Sequence, residues 1–415
     1  MRRVAMSEMF NVLTPDEAFQ VLKQHLSPLR EREVVPSAEA LGRITAEEVR
    51  SPEDLPAFPR STMDGYSVRS QDTYGATEAV PAYLEVVGEV ATGEASTVEL
   101  GRGQAAKAYT GGMLAGSADA VVMVERTQQV DETTIEVVRA VAPGENVVNV
   151  GEDVRHGDAV LPPGHLIRPQ DIGGLMALGL TDIAVTRRPR VAIVSTGDEL
   201  VPPAGNPGPA QIRDVNTYTV SSLVSQAGGI PMPVGLVADE YEAQREAAVR
   251  GLDAADVLVF SAGSSLSSRD MTAAVIDALG APGVLVHGIS IKPGKPTIVG
   301  VVDGKPAFGL PGNPVSAMVV FGLLVRPTIA LLSGLTGVVE RPTVVATLTR
   351  DIPSLAGRED HVEVHLVHED GRIDAEPVFG KSNLIFTLMR ADGTVKVPLD
   401  KGGLYAGEQV EVSLY

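Results

Sequence analysis

The sequence predicts a multidomain α/β-plus-β chain, and three patterns carry that prediction. Between Arg190 and Gly309, apolar strand-like runs alternate with helical ones, which implies a mostly parallel, doubly wound sheet with helices on both faces. Over residues 81–138, short β-rich runs such as Tyr83-Leu84-Glu85-Val86-Val87 alternate with glycine turns, which implies a compact β domain. Beyond Ser333-Gly334 the pattern returns to β over 344–348, 361–367, 373–377 and 409–414, enough for a small barrel or sheet. A length of 415 residues with 44% hydrophobic content suits two to four separately buried cores.

The chain opens with a helix at Thr14-Pro15-Asp16-Glu17. Thr14 is the cap, Pro15 takes the first position, acids fill the first turn, and Phe19, Leu22 and Leu26 follow at helical spacing. A second helix is expected over 37–46. The proline-rich stretch 51–59 is an extended linker that leads to Arg60-Ser61-Thr62-Met63-Asp64-Gly65-Tyr66. In the β region, Thr110-Gly111-Gly112 is a loop between strands. In the α/β region, strands are expected over 191–195, 233–237, 257–261 and 284–289, with helices over 217–227, 240–251 and 270–279. Gly228-Gly229 stops the first of these helices. A hairpin of 297–302 with 306–309 turns at Asp303-Gly304.

The stretch 307–332 organises the rest. Gly309-Leu310-Pro311-Gly312-Asn313-Pro314 closes a strand and feeds a long apolar helix, with Asn313 as cap and Pro314 at the first helical position. A glycine turn entering a helix N-terminus offers free N–H groups to an anion. Just upstream, Ile291-Lys292-Pro293-Gly294-Lys295-Pro296 is a second rigid loop carrying two ammonium groups. Acids gather at the other strand ends: Ser195-Thr196-Gly197-Asp198-Glu199, then Asp239, then Gly263-Ser264-Ser265 with Asp270 beyond. Amides and lysines suit phosphate, and carboxylates suit Mg²⁺, which takes oxygen ligands and bridges phosphates. Asp239 and Asp270 also fall where helix caps would, so capping and ligand contact both stay open for them. Asp64-Gly65 is a turn signal as much as a site. His361, Glu363 and His365 share one strand face, read as a solvated face ahead of a metal site.

Composition excludes several classes. A net charge of −19 argues against general nucleic-acid binding, which needs a cationic face. The absence of cysteine removes disulfides, thiolate nucleophiles and cysteine-ligated metals. Residues 315–332 form the most apolar run, but Arg326 and Pro327 interrupt it, so it reads as a buried helix rather than a membrane span. Met1-Arg2-Arg3-Val4 is followed by no apolar signal segment, and a cytoplasmic setting is expected.

Taken together, Ser61-Thr62-Met63-Asp64-Gly65-Tyr66, Ala118-Asp119-Ala120-Val121-Val122, Ser195-Thr196-Gly197-Asp198-Glu199-Leu200, the lysine loop and Gly309-Leu310-Pro311-Gly312-Asn313-Pro314-Val315-Ser316 resemble the molybdopterin molybdenumtransferase family, which includes the C-terminal half of gephyrin. The resemblance runs from about Thr14 to the end. It implies an elongated homodimer with four domains per chain: 7–50 with 141–182, an inserted β domain over 51–140, the α/β domain over 183–333 and a C-terminal β-barrel over 334–415. It implies insertion of molybdenum from molybdate into adenylated molybdopterin, with Mg²⁺-dependent release of AMP. Carried over, Glu199, Asp239 and Asp270 are the acidic and metal-binding residues. Substrate contacts are Ser195, Gly197, Asp198, Gly263, Ser264, Lys292, Lys295 and the segment Gly309, Leu310, Pro311, Gly312, Asn313 and Pro314. Asp64, with Thr110, completes the cleft from the other subunit. A molybdopterin adenylyltransferase and molybdoenzyme acceptors are the implied partners, with no nucleic acid and no membrane. One departure stands out: many members read Gly-Gly-Val-Ser-Val-Gly where this chain has Ala262-Gly263-Ser264-Ser265-Leu266-Ser267. The rival readings are an adenylyltransferase built on a related α/β domain, a non-catalytic scaffold, and a tungsten paralogue.

Overall fold

The structure, a computed structural model, describes residues 13–262, 266–337, 341–369 and 371–415, with the backbone alone at 262 and 266–269. Two compact units divide the chain. One comprises Glu48–Pro162 with Pro169–Thr181, and the other comprises the remainder.

The first unit is built on a six-stranded sheet in the order Ala120–Met123, Gly65–Val68, Gln104–Ala108, Ala82–Val90, Thr134–Val137, Thr127–Gln129. Its core is Val68, Leu84, Ala105, Val122, Ile135 and Val137. Gly65 is required by a close approach: a Cβ there would lie 2.0 Å from the Val122 carbonyl oxygen. That contact seats the strand directly after Asp64.

The second unit holds the α/β domain. Its sheet runs Ile230–Val237, Arg190–Thr196, Val257–Ala262, Lys305–Pro311, Ile298–Val302, Pro282–His287. The first four strands are parallel, and the last two are antiparallel to their neighbours. Pro15–Lys23, Asn216–Gln226 and the long helix after Asn313 cover one face, and Tyr241–Ala254 with Leu266–Leu279 lies on the other. Strands buried on both faces read as continuous Val/Ile runs, which is why 191–194 was legible. Phe308 anchors one core and Phe260 the other, both fully buried, and truncating either to Ala costs about 3–5 kcal/mol. The hairpin turns at Asp303 (φ 48°) and Gly304 (φ 84°), both in the left-handed region that a two-residue turn demands.

Thr14 caps the first helix as a full capping box: its hydroxyl accepts from Glu17 N (3.1 Å), and Glu17 Oε2 accepts from Thr14 N (2.8 Å). The expected helix over 37–46 is absent. Only a 3₁₀ turn, Ser37–Glu39, forms there, and Ile44 and Thr45 make isolated bridges to Leu166 and Val185. After the local turns at Ala40 and Arg43, the backbone of Gly42, Thr45 and Ala46 bonds to distant chain at Ile167, His165 and Ala184.

Beyond residue 341 five strands close a barrel: Glu359–Glu369, Arg372–Pro377, Thr343–Leu348, Gln409–Leu414 and Gly393–Val397, which returns to Glu359–Glu369. Gly393–Val397 lies outside the four expected strands and completes the closure. Ile291–Lys292 adds a short parallel bridge at Glu359–Asp360. Pro314–Leu332 is the one helix among the described residues with the length and composition of a membrane span, and 56% of it is buried inside the domain.

Candidate functional site

Ligands of open α/β sheets bind beyond the carboxyl ends of the parallel strands. Four such ends meet here. Thr196-Gly197-Asp198-Glu199 leaves Arg190–Thr196, and Gly197 N donates to the Val237 carbonyl (3.4 Å), tying it to the neighbouring strand end. Gly197 sits at φ +150°, and a Cβ there would lie 2.7 Å from Glu199 Oε2, so the Glu199 carboxylate folds over the glycine. Asp198 Oδ1 accepts from Asp239 N (3.2 Å), and Asp239 Oδ1 accepts weakly from Gln244 Nε2 (3.5 Å). Burial pushes the Asp239 carboxyl above the ordinary aspartate range. The adjacent Asp198 and Glu199 charges push the same way, and the Thr196 hydroxyl partly offsets them.

Neither acid with a capping alternative is a cap. The helix after Asp239 begins at Tyr241 with Glu240 at its cap position. Asp270 lies in the second turn of Leu266–Leu279, exposed. Gly263 and Ser264 lie outside the described residues. Ser195 is buried, its hydroxyl 2.7 Å from Thr217 Oγ1, and pins the helix Asn216–Gln226 to the sheet instead of facing a ligand.

Asn216 is a residue that the sequence pattern does not single out. Its Nδ2 donates to Ser261 Oγ and to the Gly312 carbonyl, both at 2.8 Å, so one buried amide joins two strand ends. Its Oδ1 is buried with no partner. A buried acceptor left unsatisfied is costly unless something donates to it.

In the Gly309–Pro314 segment, Gly309, Leu310 and Pro311 are buried, the last three residues of the strand Lys305–Pro311. Gly312 and Asn313 emerge half-buried. Asn313 occupies the cap position and Pro314 the first helical position, but the Asn313 side chain does not cap. Its Nδ2 donates to Ser382 Oγ (3.0 Å), and Val315 N donates to the Ser382 carbonyl (3.1 Å). A residue of the C-terminal domain thus takes one of the helix-end donors.

The lysine loop is held by the same domain. Lys292 Nζ is 3.7 Å from Asp360 Oδ2. Arg358 clamps both oxygens of that carboxylate, Nε at 2.7 Å and Nη2 at 3.2 Å. Asp360 is 2% exposed, and the two cations reach outward from it. Lys295 is exposed with no ion-pair partner among the described residues. Gly294 at φ +119° packs under Val320, where a Cβ would lie 2.6 Å from Cγ2. Arg358 and Ser382 therefore join the candidate residues by geometry, from a domain whose approach no local motif announces.

In the other unit, Asp64 Oδ1 accepts from Thr110 N (2.8 Å) and Thr110 Oγ1 (2.9 Å). The Thr110 backbone bond, then its hydroxyl bond, holds the Asp64 carboxyl below the usual range, so it stays ionised. Both residues are exposed.

The strand face at 361–365 departs from the solvated reading. Only His365 is exposed, paired with Asp392 at 2.7 Å. His361 is half-buried, its Nε2 3.6 Å from Glu359 Oε2, and Glu363 is buried with its Oε1 lacking a hydrogen-bond partner. Among the described residues no three acidic or histidine side chains converge as a metal cluster.

Cationic loops, half-buried amides and a strand-end acid group at the edge of an open α/β sheet have the chemistry of an anion-binding site. The comparisons with known proteins are more specific. Residues 13–179 match the MoeA N-terminal region (domain I and II), 192–331 the probable molybdopterin binding domain, and 345–415 the MoeA C-terminal region (domain IV). The chain is 32% identical to the molybdopterin molybdenumtransferase of Haemophilus influenzae over 97% of its length and 98% of that protein's. It is 35% identical to a putative molybdopterin biosynthesis protein of Methanocaldococcus jannaschii, covering 95% of each. A crystal structure of the molybdopterin biosynthesis MoeA protein from Pyrococcus horikoshii superposes with a TM-score of 0.85 at 31% identity, over 98% of this chain and 100% of that one. The chain belongs to the molybdopterin molybdenumtransferase family.

Proposed function

We propose that this protein inserts molybdenum from molybdate into the dithiolene of adenylated molybdopterin, with Mg²⁺-dependent release of AMP. The observation that carries the reading is that the C-terminal domain holds both anion loops of a family α/β domain: Asp360 pairs with Lys292 and Arg358, and Ser382 bonds Asn313 and the Val315 N–H. The cations and half-buried amides bind the molybdate and phosphate oxygens. Asn216 Oδ1 stands ready to accept from the ligand's own donors.

The acids at the strand ends fit Mg²⁺. Burial first, and then the Asp198 and Glu199 charges, raise the Asp239 pKa, and a cation offsets both effects. Among the described residues no three of these acids form a preformed cluster; two or more of Glu199, Asp239 and Asp270 would hold the ion, with the ligand's phosphate oxygens supplying further oxygen contacts. When bound, Mg²⁺ supplies charge neutralisation for the pyrophosphate. The protein's own contribution is positioning and electrostatics, as in other phosphoryl chemistry.

The exposed, ionised Asp64 with its Thr110 partner serves the reaction from a second copy of the chain in a homodimer. A molybdopterin adenylyltransferase delivers the substrate, molybdoenzymes accept the product, and the setting is the cytoplasm.

The test is AMP release from adenylated molybdopterin with Mg²⁺, with and without molybdate, and with tungstate in a parallel arm. Molybdate-dependent AMP release with metal recovered in the cofactor supports the reading. Binding without release counts against it and points to a scaffold. Asp64→Asn and Glu199→Gln should each lower turnover at least about tenfold, roughly 1.4 kcal/mol of barrier, with the assembly intact by light scattering. Wild-type turnover in either variant removes that residue from the mechanism.

A further inference from the structure

A second cationic region lies on the other side of the strand Glu359–Glu369 from the lysine loop. Asp360 holds Lys292, whereas His361, the next residue, points to the opposite face. That face opens on a cleft of about 1500 Å³ between the helix Pro314–Leu332, the first helix and the barrel. Five basic side chains line it against two acids, in a chain of net charge −19. Lys396 and Lys401 are paired with Glu359 and Glu408. Lys23, Arg326 and Arg341 have no ion-pair or hydrogen-bond partner among the described residues.

The two arginines share one helix face. The Arg341 guanidinium lies over Gly322, where a Cβ would be 2.6 Å from Nη2, and Arg326 follows one helical turn later. Burial and then the neighbouring Arg341 charge hold the Arg326 pKa below its ordinary value, so the pair is repulsive as it stands. His361 Nε2, on a side chain 10% exposed, faces the same cleft 3.6 Å from Glu359 Oε2. Thr394 and Tyr415, whose hydroxyls bond each other at 3.0 Å, also line it, and Met318, Val319 and Leu323 add apolar wall.

We propose that this cleft is a second ligand site, separate from the strand-end site, which takes a phosphate-bearing small molecule. The two guanidiniums grip its phosphate, and the apolar wall carries its organic body. Guanidinium forks match phosphate oxygens two at a time, so two unpaired forks side by side suit one dianion. The cleft is far larger than a single phosphate, which argues for a nucleotide-sized ligand.

The test is calorimetric titration of the full chain with inorganic phosphate, pyrophosphate and AMP at matched ionic strength. Wild type is compared with Arg326→Met, Arg341→Met and Lys292→Ala. The expected result is pyrophosphate or AMP binding that weakens at least tenfold in each arginine variant and persists in Lys292→Ala. Tighter binding of AMP than of pyrophosphate identifies the organic body as part of recognition. Both arginine variants should keep or raise the wild-type melting temperature, because each relieves a like-charge contact, so a folding defect does not mimic the result. Arg326→Lys, which keeps the charge and loses the fork, should fall between. Equal affinity in wild type and the arginine variants overturns the proposal, as does no binding of any of the three probes. Dissociation of a homodimer in the arginine variants, with no anion binding in wild type, also overturns it and assigns the cleft to contact between copies.

Discussion

At the scale of single residues, the roles of charged groups depend on neighbours that local sequence does not reveal. Thr14 was legible because a capping box is a four-residue pattern. Asn313 was legible in position but not in partner, since its side chain turns to Ser382, far along the chain. Asp239 looked equally like a cap or a ligand. The structure withdraws the cap and leaves a carboxyl raised by burial first and then by the Asp198 and Glu199 charges. Its folded pKa lies above the unfolded value, so it favours folding only while protonated, and that contribution is lost as pH rises through the folded value. Asp239→Asn should therefore raise the melting temperature at neutral pH. The gain should shrink on acidification and vanish below the ordinary aspartate pKa of about 4, while molybdate-dependent AMP release falls. Melting curves from pH 4 to 8 check this, and a gain independent of pH would contradict the raised Asp239 pKa.

At the scale of elements, the alternating βαβ pattern was readable because doubly buried strands and amphipathic helices leave distinct periods. The 37–46 segment was not, because Ile44 and Thr45 pair singly with Leu166 and Val185 far along the chain, an arrangement without periodicity. Gly393–Val397 escaped for a related reason: its partners are Glu359–Glu369 and Gln409–Leu414, and barrel closure is not a local property. The lysine loop was legible as rigid, and the reason is now specific. Gly294 needs both its φ of +119° and the space that Val320 occupies. Gly294→Ala should cost about 1–3 kcal/mol of stability and displace Lys292 and Lys295 together. Denaturant melts should show the loss, and the half-saturating molybdate concentration should rise more than turnover falls. An unchanged half-saturation would separate the loop from anion binding.

At the scale of the whole molecule, chemistry-bearing residues come from segments that no motif links. Arg358, Asp360 and Ser382 belong to the C-terminal domain, yet they position a lysine and a helix end of the α/β domain. Family resemblance supplied the α/β residues. The supporting carboxylate was silent in the sequence, because Asp360 looks like any acid on a strand. Asp360→Asn leaves Arg358 and Lys292 without their shared counter-charge. Loss of charged hydrogen bonds of this kind costs about 1.5–3 kcal/mol each, so the variant should melt earlier and bind oxyanion more weakly. Urea melts and molybdate titration of the same sample check both, and wild-type behaviour in both would make the cluster incidental.

The two-residue bridge of Ile291–Lys292 onto Glu359–Asp360 has a further consequence. A loop stitched to a neighbouring barrel by so short a ladder has little local stability of its own. Its amides open when that end of the barrel opens, and they share its exchange protection instead of the α/β sheet's. The cooperative unit that keeps the anion loop shaped is then not the domain that encodes it. Replacing the barrel in an engineered chimaera would alter ligand recognition even with every α/β residue retained.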